Sequence, residues 1–565
     1  MAATMVRNTT TNADTAVNGR IIQATSDSTE RTPPVKTTLR KLLVAWPLVI
    51  CLLLPALTRA ETGVQAWVQR YNGPGNGDDY ALAVAVDSSN SVIVTGYSLG
   101  SGSGYDYATI KYSSAGVPLW TNRYNGPGNG FDEATAVAVD GGNNVIVTGY
   151  STNGASGYDY ATIKYSSAGV ALWTNRYNGS GNGDDYARAV SVDGSNNVIV
   201  TGYSYNGTNN DYATIKYSSD GVPLWTNLYN GSGNGDDEAF AVAVDGSNNV
   251  IVTGYSYGSG NNYDYATIKY SGAGVPLWTN GYNGPANRGG EAKAVAVDGS
   301  NNVIVTGYSL GLLGLPDSYA YTYATIKYSS DGVPLWTNGY FAPDMGNDCA
   351  TAVAVDASNN VIVAGYSLAY FIGYDYATIK YSSGGVPLWI NRYNGPGNGN
   401  DEAYAVAVDG SNNVIVTGYS TGSGSGYDYA TIKYSSDGVP LWTNRYNGPG
   451  NTNDCATAVA VDHSGNVIVT GYSTGSGGKY DFATIKYICV PSPVMTGLQL
   501  TNGAFQLRVD DVLQPGTLVI EASTNLSATN WAPVFTNTTP TNVLFYADPD
   551  AGNSPTRFYR AFQSP

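Results

Sequence analysis

The chain has 565 residues, 70 of them Gly and 47 Tyr, with only 12% charged and a formal net charge of −16. An acidic surface repels phosphate backbones, which excludes nucleic acid as a partner, and a 42% hydrophobic content excludes disorder for the bulk of the chain. The length exceeds one ordinary core unless that core is built from repeats.

Residues 1–60 form an N-terminal extension that ends in an apolar run, Leu42 to Leu57, behind the basic pair Arg40 and Lys41. Pro47 and Pro55 interrupt the run, and it falls short of the roughly 20 residues that span a bilayer. Small residues ending at Ala60 complete the pattern of a cleaved signal peptide. This predicts a secreted, extracellular or cell-surface protein with no transmembrane domain in the mature chain. Cys51 lies inside the run behind Ile50, a poor context for lipid modification.

Residues 61–490 open on a lone word, VQAWVQRY (64–71), and then repeat four words eight times. In the seventh copy these are AYAVAVD (403–409), NNVIVTGYS (412–420), YATIKYS (429–435) and VPLWTNRY (439–446). Each is short, rich in Val, Ile, Tyr and Thr, and bounded by Gly, Asn, Ser and Asp, which is the chemistry of antiparallel hairpins. Trp67, Trp120, Trp173, Trp225, Trp278, Trp336, Trp389 and Trp442 recur at spacings of 53, 53, 52, 53, 58, 53 and 53. Four strands per period predict an all-β, eight-bladed β-propeller of four-stranded antiparallel blades. The last copy stops at YDFATIKY (480–487) with no Trp word, so the N-terminal word is expected to supply the outer strand of the eighth blade and close the ring.

The turns DGSNN and SSDG/SSAG barely vary among copies, whereas the NGPGNGDD and GSGSG connections hold most of the differences. The latter two fall on one face, where a ligand would be accommodated. An inner strand ending AVD, an Asn-containing turn and a V-V-TG-Y word resemble the bacterial SBBP β-propeller repeat family, over roughly residues 66–488. The resemblance implies a propeller from a secreted bacterial protein and brings no catalytic residues with it.

Residues 491–565 break the period, and LQLTNGAFQLRV, TLVIEAST, WAPVFTN, VLFYADP and RFYRAF predict a small β-sandwich-like domain of five strands. IEASTNL and RFYRA resemble C-terminal β domains of large secreted proteins of environmental Gram-negative bacteria, which implies an anchoring or sorting role.

Chemistry-bearing residues are sparse. His463 is the only histidine and sits in a turn, so a His-based triad is unsupported, and with scattered cysteines so is a zinc or haem site. Three cysteines lie beyond the signal, Cys349, Cys455 and Cys489; with that odd count no structural disulfide is expected. An Asp precedes the inner strand in seven copies: Asp79, Asp132, Asp185, Asp237, Asp348, Asp401 and Asp454, with Gly290 breaking the series. These form a candidate carboxylate ring at one channel mouth for a cation, calcium in particular, or a polyhydroxyl ligand; the alternative is that each bonds its own loop. No other cofactor is expected. The ATIKY lysines, such as Lys327 and Lys433, predict a structural carboxylate partner in every blade.

Copy-specific polar chemistry is confined to Arg288, Glu291, Lys293 and Asp317. Leu310, Leu313 and Leu315 in the long loop of copy five, with Tyr370, Phe371 and Ile372 in copy six, form a candidate apolar patch for a partner. The expected function is a monomeric binding or structural scaffold for an unknown protein or glycan, and not an enzyme. The alternative is an extracellular carbohydrate-active or other hydrolytic enzyme working on the variable face.

Overall fold

The computed structural model describes residues 61–565 apart from 155–156, 261, 313–318, 343–345, 370–372, 492–493, 502–503, 511–516, 524–531, 539–542, 549–557 and 565. The apolar run Leu42 to Leu57 lies outside the described residues. Eight four-stranded antiparallel sheets form a ring, a β-propeller. Blade 1 comprises strands Asp79–Val86, Val92–Leu99, Tyr105–Tyr112 and Pro118–Tyr124, from channel to rim, and blades 2 to 7 repeat that order.

Closure follows the word order of the sequence. Blade 8 takes Asp454–Val461, Val467–Thr474 and Tyr480–Pro491 from the end of the repeats, and its rim strand is Glu61–Tyr71. That strand runs antiparallel from Glu61 opposite Pro491 to Tyr71 opposite Phe482. Trp67 Nε1 then donates to the Ser114 carbonyl of blade 1 at 3.2 Å, the contact that every rim Trp but Trp442 makes to the next blade; Trp442 donates to the Glu61 carboxylate of the closing strand instead. Backbone pairing therefore joins the two ends of the ring and removes the exposed edges that an open stack of sheets would present.

No blade can bury both faces alone, so the cores lie between blades. Between blades 1 and 2, for example, Ile93 and Tyr107 pack on Val145, Val147, Ile163 and Tyr165. In seven blades the buried tyrosine also donates across this core, as Tyr107 does to the Ala161 carbonyl at 3.1 Å. Phe482 holds the corresponding place in blade 8 and has no hydroxyl to donate.

The repeated lysine is explained by a buried pair. Lys111 Nζ lies 2.8 Å from Asp87 Oδ2 in its own blade and donates to the Ser167 carbonyl of the next. The pair recurs in all eight blades, and in blade 8 it joins Lys486 to Asp462. The same Asp makes the inner turn: Asp409 Oδ1 accepts from the amides of Ser411 and Asn413, each at 2.9 Å. The asparagine at positive φ in that turn accepts an amide of the preceding blade, as Asn196 does from Gly141. At the closure the His463 amide donates to Asn90 Oδ1 at 2.9 Å, and the His463 ring Nδ1 lies 3.1 Å from the same oxygen.

The C-terminal region forms two three-stranded sheets, one of Val494–Thr501, Ala504–Asp510 and Val543–Asp548, the other of Ala532–Asn537, Thr517–Ser523 and Phe558–Ser564. Leu507, Val509, Leu518, Ile520 and Tyr546 make its core. Among the described residues six strands stand where the sequence predicts five, because LQLTNGAFQLRV falls on two antiparallel strands, paired from Val494 opposite Asp510 to Thr501 opposite Ala504.

Candidate functional site

The variable face is built on a bulge. In every inner strand the register slips by one residue, in blade 1 between Ala81 and Ala83, which leaves Leu82 unpaired. The bulge drives the Tyr80 carbonyl against Gly96, where any Cβ would collide with it, so VTGY requires its glycine. The unpaired residue differs from blade to blade: Leu82, Thr135, Arg188, Phe240, Lys293, Thr351, Tyr404 and Thr457.

The seven aspartates do not line this mouth. All are fully buried, and each turns into its own loop. Asp401 Oδ2 accepts from the Gly395 amide at 2.7 Å and Oδ1 from the Thr421 amide at 2.9 Å. Burial pushes their carboxyls above the ordinary range, against which these loop bonds work. The expected carboxylate ring is thus corrected to a set of loop staples. In blade 5, where Gly290 has no carboxylate, Asn283 Oδ1 accepts a loop amide instead. Among the described residues no group of three or more His, Cys, Asp or Glu is placed to hold a metal ion.

The next residue along each inner strand, half-buried in most blades, is Tyr80, Glu133, Tyr186, Glu238, Glu291, Cys349, Glu402 or Cys455. Behind these stand the eight VTGY tyrosines, and beyond them a third tyrosine series from the ATIKY strands. In blade 1, Tyr80 stacks on Tyr97 at 4.9 Å and Tyr97 meets Tyr105 edge-on at 5.3 Å. In blade 8, Tyr472 meets Tyr480 at 5.1 Å, and Tyr80 contacts both, which carries the aromatic lining across the closure.

Charges sit among these rings. Tyr186 and Tyr203 contact each other at 5.1 Å, and Arg188 lies over both rings, 5.6 and 5.3 Å from their centroids, and donates to the Tyr203 hydroxyl at 3.0 Å. Glu133 and Glu238 both feel its charge, yet burial still raises their carboxyls above the usual range. Tyr150 donates to Glu133 at 2.5 Å. Lys293 pairs with Glu291 at 2.6 Å and lies 4.5 Å from the centroid of Phe240. Cys349 and Cys455 are thiols, and burial pushes them up to about 11 and about 12, far from the thiolate form that reactivity needs.

Of the polar residues singled out from sequence, Glu291 and Lys293 are therefore together at the mouth. Arg288 lies over the Tyr319 ring at 4.3 Å, and with Glu291 borders a cleft of about 150 Å³. Asp317 lies outside the described residues, as do Leu313, Leu315, Tyr370, Phe371 and Ile372 of the apolar patch. Leu310 is half-buried on the strand Val303–Leu312 and lines the same cleft as Glu291. Attention to loops misses Arg188, Phe240 and Tyr404. Their signal in the sequence is that the second position of A-x-AVAVD changes while its neighbours do not.

No known family and no curated protein matches this chain. Solved structures do. A polysaccharide lyase, Uly1, is 11% identical over 65% of this chain and 92% of its own, with a TM-score of 0.39. Drosophila Plexin A in complex with Semaphorin 1b is 8% identical over 76% and 88%, with a TM-score of 0.37. A glucose dehydrogenase is 11% identical over 53% and 95%, with a TM-score of 0.30. Similarity this low carries no argument for any one activity. The expectation that the chain is not an enzyme is nonetheless corrected, because proteins described as a lyase and a dehydrogenase stand among its structural neighbours. Among the described residues no helix is long and apolar enough to cross a membrane.

Proposed function

We propose that this chain is an exported propeller of the SBBP repeat type that binds neutral glycans at its tyrosine-lined mouth. The observation that carries the reading is the nested tyrosine series on one face, with hydroxyl-bearing edges and carbon faces that suit the alternating polar and apolar surface of a sugar. Glu133, Glu238, Glu291 and Glu402 with the net acidic charge disfavour anionic polymers. The test is calorimetry of the full chain against neutral and uronic-acid oligosaccharides. Binding of the neutral set is expected, and binding of the acidic set alone refutes the reading.

A second reading, catalysis on the same glycans, is favoured by Glu133 and Glu238, two carboxyls raised by burial beside Arg188, one of them bonded to a tyrosine hydroxyl. A carboxyl raised by burial is the kind of group that general acid catalysis uses to donate a proton to a leaving oxygen. Release of shorter oligosaccharides by the wild type and its loss in Glu133→Gln would support this reading; an unchanged chain-length profile would refute it.

A further inference from the structure

Blade 3 departs from the other seven where the third tyrosine series should continue. Its second and third strands pair Tyr205 with Asn210, whereas blade 1 pairs Leu99 with Tyr105 and the remaining blades likewise place a tyrosine at that position. The connection is also shorter by one residue. Paired Ser204 and Asp211 are seven positions apart, against eight for Ser98 and Asp106. With no ring at position 210, the face opens beside Tyr203, itself buried, into a cleft of about 500 Å³, within the roughly 300–1,000 Å³ of small-molecule sites.

The cleft is lined by Asn182, Asp184, Tyr186, Tyr203, Tyr205 and Asn210. Its walls are fixed by bonds that need no ligand. Asn206 donates to Asp211 at 2.9 Å and accepts the Thr208 amide at 2.8 Å, which holds the short connection. The Asn210 amide is tied to Asp236 of blade 4, and Asp184 accepts the Tyr158 amide of blade 2, both at 3.0 Å. A site rigid before binding loses little entropy when it fills.

The lining also selects among ligands. Three tyrosines with a carboxylate would suit a quaternary ammonium group, but Arg188 already lies against Tyr186 and Tyr203 and would repel a second cation. Exposed Asp184 repels an anion. A neutral polyhydroxylated ring satisfies both restrictions. Its C–H face packs on an aromatic ring, and its hydroxyls bond the amides of Asn182 and Asn210 and the carboxylate of Asp184. We infer that the cleft on blade 3 is the sugar-binding subsite of the propeller, taking one neutral sugar unit of a glycan whose remainder lies over the mouth.

This rests on the glycan reading above, and the test separates the two. Asn210→Tyr restores the residue that seven blades carry, so it should fold while closing the cleft. Wild type and variant, as full chains, are titrated calorimetrically with cellohexaose, xylohexaose, mannohexaose and chitohexaose, and with choline. The inference expects a neutral hexasaccharide to bind the wild type, to lose at least about tenfold in affinity to Asn210→Tyr with no change in melting temperature, and choline not to bind. Tyr205→Ala should weaken the same ligand without closing the cleft. Equal affinity in wild type and both variants overturns the subsite and leaves the mouth as the binding surface. Binding of choline in place of sugar overturns it as well, and no binding of any hexasaccharide overturns both readings.

Discussion

A charge pair that three blades have lost offers a measurement of what the repeat stabilises. In blades 1, 2, 6, 7 and 8 an arginine of the rim strand reaches under the variable face. Arg123, for example, donates to the Ser98 hydroxyl and carbonyl at 2.7 and 2.8 Å, to Asp106 at 2.8 Å and to the Tyr71 hydroxyl at 3.1 Å. Blade 4 has Gly281 at that place and keeps the carboxylate, Asp264, which burial pushes up to about 6 from 3.8. Gly281→Arg should rebuild the cluster. A Cβ at 281 would meet nothing nearer than 3.6 Å, and Ser256, Asp264 and Tyr229 stand where the arginine partners stand elsewhere.

A carboxyl raised in the folded state stabilises below its unfolded value, and that contribution is lost as pH rises from about 4 through about 6. That rise corresponds to about 3 kcal/mol at most, and partial solvent screening reduces this to about 1–2 kcal/mol of destabilisation at pH 7.5. The arginine should remove that cost and add charge-assisted bonds of roughly 1.5–3 kcal/mol. Urea denaturation of wild type and Gly281→Arg at pH 4.5 and 7.5 cancels the carboxyls common to both. The variant should gain about 2.5–5 kcal/mol at pH 7.5 and clearly less at pH 4.5. A gain equal at both pH values, or none at either, refutes the account of Asp264.

The closure and the buried charges give three further expectations. Deleting residues 61–71 strips Trp67 and a whole strand from blade 8 and should cost more than the roughly 3–5 kcal/mol of a buried Trp alone; an unchanged melting curve by circular dichroism would contradict the closure. Lys327→Met leaves the fully buried Asp298 without the ammonium 2.7 Å away and should cost about 3–5 kcal/mol, with a double variant Lys327→Met/Asp298→Asn less harmed. Asp401→Asn places an amide where two backbone N–H groups now point. It should cost about 1–3 kcal/mol in thermal denaturation, and that cost should be the same with and without millimolar calcium.

The fold was legible because each word specifies strand, turn and order together. The lone Trp word at the start and its absence at the end state the closure outright, and the invariant Lys predicts a carboxylate partner, which the structure supplies as the AVD aspartate of the same blade. The aspartate ring was misplaced for a local reason. Alternation along an ideal strand says only that residues 79 and 80 point to opposite sides, and not which side is the mouth. That choice is made by the bulge at Leu82 and by the loop amides that draw Asp79 inward. Neither has a signature in a single copy.

The copies read against one another do carry that information, because repetition turns this one chain into its own comparison set. Constant positions in A-x-AVAVD are those the packing between blades requires, so the residue free to vary is one the core does not see. Three of the eight, Thr135, Thr351 and Thr457, still bond the carbonyl of the next blade. Arg188, Phe240, Lys293 and Tyr404 make no such stitch among the described residues and face aromatic or charged neighbours in the mouth. The same comparison shows Asp lost together with Arg at Thr322 and Gly339 of blade 5, but kept without Arg at Asp211 and Asp264. Blades 3 to 5 are thus where the repeat has relaxed its own internal pairing, and they are also where Arg188, Asn210 and Glu291 give the mouth its unequal chemistry. A ring of identical blades would present an eightfold surface with no preferred place for a ligand; these departures are what make one side of the mouth distinguishable from the other.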